Sequence, residues 1–75
     1  MKYVKVISDD ATLKDYCYEP LRSGATYKAE AFNKLYTRVF FPFDGEEHML
    51  TVHNRHLEFI DRDEYREEKL KQLGI

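Results

Sequence analysis

Three histidines and one cysteine are the residues of this sequence best suited to metal binding or to nucleophilic chemistry. His53 and His56 stand three positions apart, and His48 precedes them. A zinc site takes about four His, Cys or carboxylate ligands, so Cys17 or Glu58 would have to complete this one. Because polar turns commonly carry such residues, we interpret the histidines as part of a solvated turn and expect no metal ion.

Cys17 would act as a nucleophile only if the fold brought a histidine within about 3 Å and a third group oriented the imidazole. The sequence has no Gly-rich oxyanion loop. A free cysteine often serves as a small hydrophobic residue. We therefore expect Cys17 to be a buried or half-buried structural residue, and the protein to be neither an enzyme nor dependent on a cofactor.

Length and charge narrow the classes of function. A chain of 75 residues with one cysteine is a single domain without an internal disulfide, and folding buries only roughly 60% of its unfolded surface. Small domains of this kind often gain stability from a partner or a second copy, so we expect an interaction surface. The net charge of −2 is typical neither of a basic nucleic-acid binder nor of an acidic DNA mimic. The lone thiol and the lack of a leader or long apolar run predict a cytoplasmic protein without a membrane segment.

Alternating or β-prone hydrophobic segments predict five strands, over residues 2–7, 26–32, 36–41, 47–52 and 57–60. Residues 8–25 are predicted to form a long loop with at most a short helical turn. Asp44 and Gly45 form a hairpin signal between two hydrophobic runs, whereas residues 53–56 are predicted to be a polar turn. Pro42 is expected to end the third strand.

The charged segment after residue 60 predicts a C-terminal helix. Asp61 can accept a hydrogen bond from the amide of Glu64, acidic residues come early and lysines late, and Gly74 is a natural stop. Its apolar residues do not form a full stripe, so we expect the helix to dock weakly or to await a partner. Residues 1–60 are predicted to form a small β-barrel, and residues 61–75 the helix of the same domain.

Aromatic residues are abundant, with six Tyr and five Phe in the chain. One small core cannot hide all of these rings, which indicates an interface. Adjacent Phe40 and Phe41 must point to opposite faces of a strand, so one is exposed unless the helix, a loop or another chain covers it. The candidate partner-binding residues are Tyr36, Arg38, Phe40, Phe41 and Phe43.

The same strand allows an alternative function, nucleic-acid binding. Segment 34–41 contains basic and aromatic residues and no acidic one, a combination suited to phosphate contact and base stacking. The candidate residues for this alternative are Lys28, Lys34, Arg38 and Tyr36. A strand with one polar and one core face explains the same pattern without a ligand.

Four features together are similar to small SH3-like barrel proteins of bacteriophages and bacteria, over residues 2–60: Val4-Lys5-Val6-Ile7, Leu21-Arg22-Ser23-Gly24-Ala25-Thr26-Tyr27, the hairpin at Asp44-Gly45, and Leu57-Glu58-Phe59-Ile60. In that family a strand leads through a long loop into a meander, and a helical turn, here residues 53–56, precedes a short last strand. The resemblance implies an α+β fold, a small SH3-like, strongly bent antiparallel β-barrel or sheet of about five strands, here with a C-terminal α-helix.

The resemblance also implies a non-catalytic protein-binding module, a phage protein that binds and inhibits or redirects a host protein. The partner would be a host enzyme or complex in the host cytoplasm, and a homodimer is a further candidate. The charged C-terminal helix departs from the family. The chain also lacks the Trp and the acidic loop with which eukaryotic members bind proline-rich ligands, so such ligands are not expected.

Overall fold

A computed structural model describes residues 2–72 of the chain. The elements in this range are β1 (Lys2–Val6), α1 (Asp10–Asp15), β2 (Thr26–Ala31), β3 (Tyr36–Phe43), β4 (Glu46–His53), a 3₁₀ turn (Asn54–His56), β5 (Leu57–Ile60) and α2 (Arg62–Gln72). The helix stop predicted at Gly74 lies outside the described residues.

All five strands belong to one antiparallel sheet, in the order β4-β3-β2-β1-β5. The first four strands form a meander, and β5 returns to pair with the other side of β1. β4 and β5 are the two edges of this sheet, so the strands described do not close into a barrel. The predicted five-stranded antiparallel α+β fold with a C-terminal helix is confirmed.

The predicted hairpin turn between β3 and β4 is confirmed. Asp44 and Gly45 have φ angles of 54° and 79°. Positive φ at both central residues is the signature of a type I′ turn, whose twist matches that of the strands it joins. Phe43 and Glu46 flank this two-residue turn and pair with each other.

β3 was predicted to end at Pro42, but it continues to Phe43. In a two-residue hairpin the residues that flank the turn exchange hydrogen bonds, and the next pair, Pro42 with Glu47, does not. The Pro42 nitrogen therefore faces away from β4. On that side the pairing with β2 has already stopped at Phe40, so the missing N–H removes no ladder bond.

The core lies on one side of the sheet and is completed by residues from the β1–β2 connection. Alternate residues of β3 point into it, which places Phe41 in the core with only 5% of its surface exposed. The buried hydrophobic residues are Val4, Val6, Leu13, Leu21, Tyr27, Ala29, Val39, Phe41, Val52 and Leu57.

α1 is the short helix in the segment predicted to be a loop. The Asp9 side chain caps it by accepting a hydrogen bond from the amide of Thr12, at 2.7 Å. The bonds with Thr12 hold the pKa of the Asp9 carboxyl below its usual value. Leu13 is buried in the core, so the helix contributes one side chain to it.

Cys17 lies just beyond α1, and the prediction that it is buried was wrong. Its amide donates to the Lys14 carbonyl at 3.1 Å, and the Tyr18 amide donates to the Leu13 carbonyl at 2.7 Å. This pair of bonds is the Schellman motif, which requires a left-handed residue after the helix. Cys17 fills that position with φ 64° and is exposed.

α2 begins as predicted, because the Asp61 carboxylate accepts a hydrogen bond from the Glu64 amide at 2.7 Å. The helix packs on β1 and β2. The rings of Tyr65 and Tyr3 lie 4.5 Å apart, and the Lys69 ammonium lies 5.4 Å from the Tyr65 ring. α2 is therefore docked on the sheet. Within residues 2–72, no helix is long and apolar enough to cross a membrane.

Candidate functional site

The histidines predicted to lie in a solvated turn are spread over different environments. His48 stacks on the ring of Phe41 at 5.9 Å. The His53 and His56 rings are 6.4 Å apart, and His53 Nδ1 accepts a hydrogen bond from the Arg55 amide. In the part of the chain that the structure describes, no group of three or more His, Cys, Asp or Glu side chains is placed to hold a metal ion.

His56 differs from the prediction, because it is buried, with 3% of its surface exposed. Its Nδ1 lies 2.6 Å from the Ser8 hydroxyl, whereas its Nε2 is buried without a partner. Burial lowers the pKa of His56, and the positive charges of Arg55 and His53 lower it further. Burial therefore favours the neutral form of the imidazole, which packs in the 3₁₀ turn.

Two tyrosines from the β1–β2 connection surround His56. The Tyr16 ring lies 5.1 Å and the Tyr18 ring 5.7 Å from the imidazole. The Arg55 guanidinium donates to the Tyr16 hydroxyl at 2.9 Å. This cluster was not predicted from the sequence. Its local signal is the Tyr-Cys-Tyr segment, which lies 38 or more positions before His56, so the fold alone shows that they meet.

The side of β3 opposite the core carries three of the predicted partner-binding residues. Tyr36, Arg38 and Phe40 alternate with buried residues and are each half-buried, which confirms that they share a strand face. We call this surface the outer face. It consists of these three β3 residues and the β4 residues paired with them, Met49, Thr51 and His53.

Arg38 lies at the middle of the outer face. Its guanidinium is 4.6 Å from the ring of Phe32, which is itself 50% exposed. The Arg38 Nε is buried without a hydrogen-bond partner. Glu30 is opposite Arg38 in the sheet register, yet no ion pair joins the two among residues 2–72. Arg38 is thus positioned by an aromatic ring and not neutralised by a carboxylate.

The other two predicted partner-binding residues do not belong to the outer face. Phe41 is in the core, so its side chain is not available to a partner in this structure. Phe43 is exposed at the hairpin end of β3, and its ring lies 5.7 Å from that of His48. Because Phe43 is an odd-numbered residue of β3 like Phe41, it lies on the opposite side of the sheet from Phe40.

The residues of the nucleic-acid alternative are only partly brought together. Lys28 pairs with Phe40 and so lies on the same side of the sheet as Arg38 and Tyr36. Lys34 lies in the turn between β2 and β3, where its carbonyl accepts a hydrogen bond from the Asn54 side chain at 3.0 Å. The set therefore spans a strand face and a turn.

A shallow groove of about 480 Å³ runs between α2 and the β3–β4 hairpin, beside the outer face. Phe40, Pro42 and Tyr65 supply apolar surface there, and Lys69 lies at the α2 side. Burial lowers the pKa of Lys69 and raises that of Tyr65. Because the groove joins Phe40 to Tyr65, the apolar surface that begins at Phe40 extends to α2.

Comparison with known proteins identifies no relative: no protein-family model, curated protein or solved structure matches this chain. Function is therefore inferred from the geometry of the outer face.

Proposed function

We propose that this protein is a small, non-catalytic protein-binding module and that its partner contacts the outer face. The observation that carries this proposal is the Arg38 guanidinium, which lies 4.6 Å from the 50% exposed ring of Phe32 and has no ion-pair partner among residues 2–72. A carboxylate brought by a second protein would pair with this cation through charge-assisted hydrogen bonds.

The surroundings of Arg38 suit a protein partner. Energetically dominant residues at protein interfaces are enriched in aromatic side chains and arginine, and Tyr36 and Phe40 flank Arg38 on the same strand face. Met49, exposed on β4, is paired with Phe40. Tyr36, Phe40 and Met49 together offer apolar surface around the Arg38 guanidinium, whose N–H groups are hydrogen-bond donors.

We also propose that the fold is SH3-like. The support is the order of the elements: β5 pairs with β1, a long connection joins β1 to β2, and a 3₁₀ turn immediately precedes β5. On the resemblance of the sequence alone, the proposed partner is a host enzyme or complex, bound in the host cytoplasm by a phage-encoded inhibitor.

The test is an affinity pull-down of the tagged protein from bacterial lysate, with and without nuclease, read by mass spectrometry and nucleic-acid staining. Phe32→Ser is compared with Phe59→Ser, because these phenylalanines are 50% and 49% exposed at different places on the sheet. We expect one stoichiometric protein that survives nuclease, is lost with Phe32→Ser and with Arg38→Ala, and is kept with Phe59→Ser. Equal loss with Phe59→Ser, or no specific protein, would contradict the proposal.

Nucleic-acid binding is the second candidate, favoured by Lys28 and Arg38 on one side of the sheet. Glu30 and Glu47, opposite Arg38 and Pro42 in the register, place carboxylates on that side and reduce its positive potential. Recovered nucleic acid whose binding weakens steeply between about 50 and 200 mM salt would favour this candidate over the first.

A further inference from the structure

The outward side of β4 presents backbone groups that no strand within residues 2–72 pairs with. Phe43 and Glu46 flank the two-residue turn, so their pair exchanges hydrogen bonds with each other. In an antiparallel ladder such pairs alternate with pairs that do not exchange bonds. The N–H and C=O groups of Glu47, Met49 and Thr51 therefore point to the free edge.

β4 has few of the features that protect an edge strand from pairing. Proteins blunt exposed edges with short strands, prolines, lysines or bulges. β4 is eight residues long, contains no Pro or Lys, and pairs with β3 in an unbroken register. β5, the other edge, has only four residues and leads directly toward α2.

We propose that a second copy of this chain pairs with this edge, β4 against β4, antiparallel about a twofold axis at Met49. In this register Met49 meets Met49 of the second copy, and Glu47 meets Thr51 in both directions. The outward-facing backbone groups of Glu47, Met49 and Thr51 on each copy then find partners. The interface is isologous, as most symmetric dimers require.

This register is favoured over two alternatives, in which the twofold axis lies at Glu47 or at Leu50. Met49 is 47% exposed, and the pairing covers it with its own copy. The Thr51 hydroxyl can donate to the Glu47 carboxylate across the axis. A twofold axis at Glu47 would place two carboxylates directly opposite each other, which is destabilising. An axis at Leu50 would pair Glu47 with His53, which is the cap of the 3₁₀ turn and whose carbonyl begins that turn.

The first test is sedimentation velocity of the purified protein alone, over a wide range of concentration. We expect a reversible monomer–dimer equilibrium. Met49→Lys places two ammonium groups opposite each other and should weaken the dimer about ten-fold or more. The control is Phe59→Lys, an equally exposed position on the β5 edge, which should dimerise like the wild type. Circular dichroism checks that both variants are folded.

The second test reports the register, in a Cys17→Ser background. Residues in a hydrogen-bonded antiparallel pair have Cα atoms about 5.5 Å apart, within disulfide range. Met49→Cys should therefore crosslink with oxidised glutathione. Thr51→Cys should not, because its two copies would lie about 13 Å apart along the strands.

A monomer at every concentration, an unaltered dimer with Met49→Lys, or equal crosslinking at both positions would overturn the proposal. These measurements contain no partner protein, so their outcome is independent of the pull-down that tests the proposed function.

Discussion

The Ser8 hydroxyl oxygen and His56 Nδ1 lie 2.6 Å apart, although the two residues are 48 positions apart in sequence. The contact joins the second residue after β1 to the 3₁₀ turn. A backbone bond adjoins it, in which the Ile7 amide donates to the His56 carbonyl at 3.0 Å. The turn before β5 is thus fixed to the end of β1 by one side-chain and one main-chain bond.

His56 makes stability depend on pH. Burial lowers its pKa below the ordinary 6.5, so the unfolded chain binds this proton more readily than the folded protein. Stability is therefore fully present above about pH 6.5 and falls as the pH is lowered through that value toward the folded pKa. Urea unfolding should show a lower midpoint at about pH 5 than at about pH 7.5.

The control for this prediction is a second histidine. His56→Gln should flatten the dependence on pH, whereas His48→Gln, at an exposed position, should retain it. If His56→Gln loses stability at low pH as the wild type does, titratable groups other than His56 cause that loss.

Asn54 is only half-buried, but its side chain should contribute strongly to the stability of the fold. The buried Thr37 hydroxyl donates to its side chain at 2.6 Å, and its amide group donates to the Lys34 carbonyl at 3.0 Å. Asn54→Ala leaves the Thr37 hydroxyl without a partner, so we expect a loss of about 1–3 kcal/mol in the free energy of unfolding. In a Thr37→Val background the same change should cost less, and strictly additive costs would show that the two residues are not coupled.

Cys17→Gly should stabilise the protein. Cys17 has φ 64°, a conformation that costs an L-residue about 1–2 kcal/mol, and glycine avoids it at some cost in unfolded-chain entropy. We expect a net gain of about 0.5–1 kcal/mol in thermal or urea unfolding. Cys17→Ser keeps the strained backbone and should be close to neutral. If Cys17→Ser gives a similar gain in stability, the gain comes from removing the thiol and not from relieving the backbone.

Phe40 and Phe41 should separate binding from stability. Phe41→Ala removes a core ring and should cost about 3–5 kcal/mol, enough to unfold much of a domain this small. Phe40→Ala removes a half-buried ring of the outer face and should leave the protein folded while it weakens partner capture. Thermal unfolding followed by the pull-down distinguishes the two, and full partner capture by folded Phe40→Ala would exclude Phe40 from the contact.

The strands could be predicted because their signals are local. The short hydrophobic segment 57–60 predicts β5 with the bounds observed, and Asp44-Gly45 fixes the hairpin and hence the register of β3 with β4. The cap at Asp61 is equally local, since donor and acceptor are three residues apart. α1 was missed beyond a short helical turn, because six residues are too few for a clear helical period.

The sequence by itself determined the strand faces of β3, the turn type and the start of α2, since each depends on residues close together in the chain. The tertiary structure alone decided that His56 is buried between Tyr16 and Tyr18, that Phe32 supports Arg38, and that Phe41 and not Phe40 enters the core. Alternation along a strand predicts that two neighbouring side chains face opposite sides of the sheet. Which side is covered depends on where α1, α2 and the connections pack, and that is set by contacts distant in sequence.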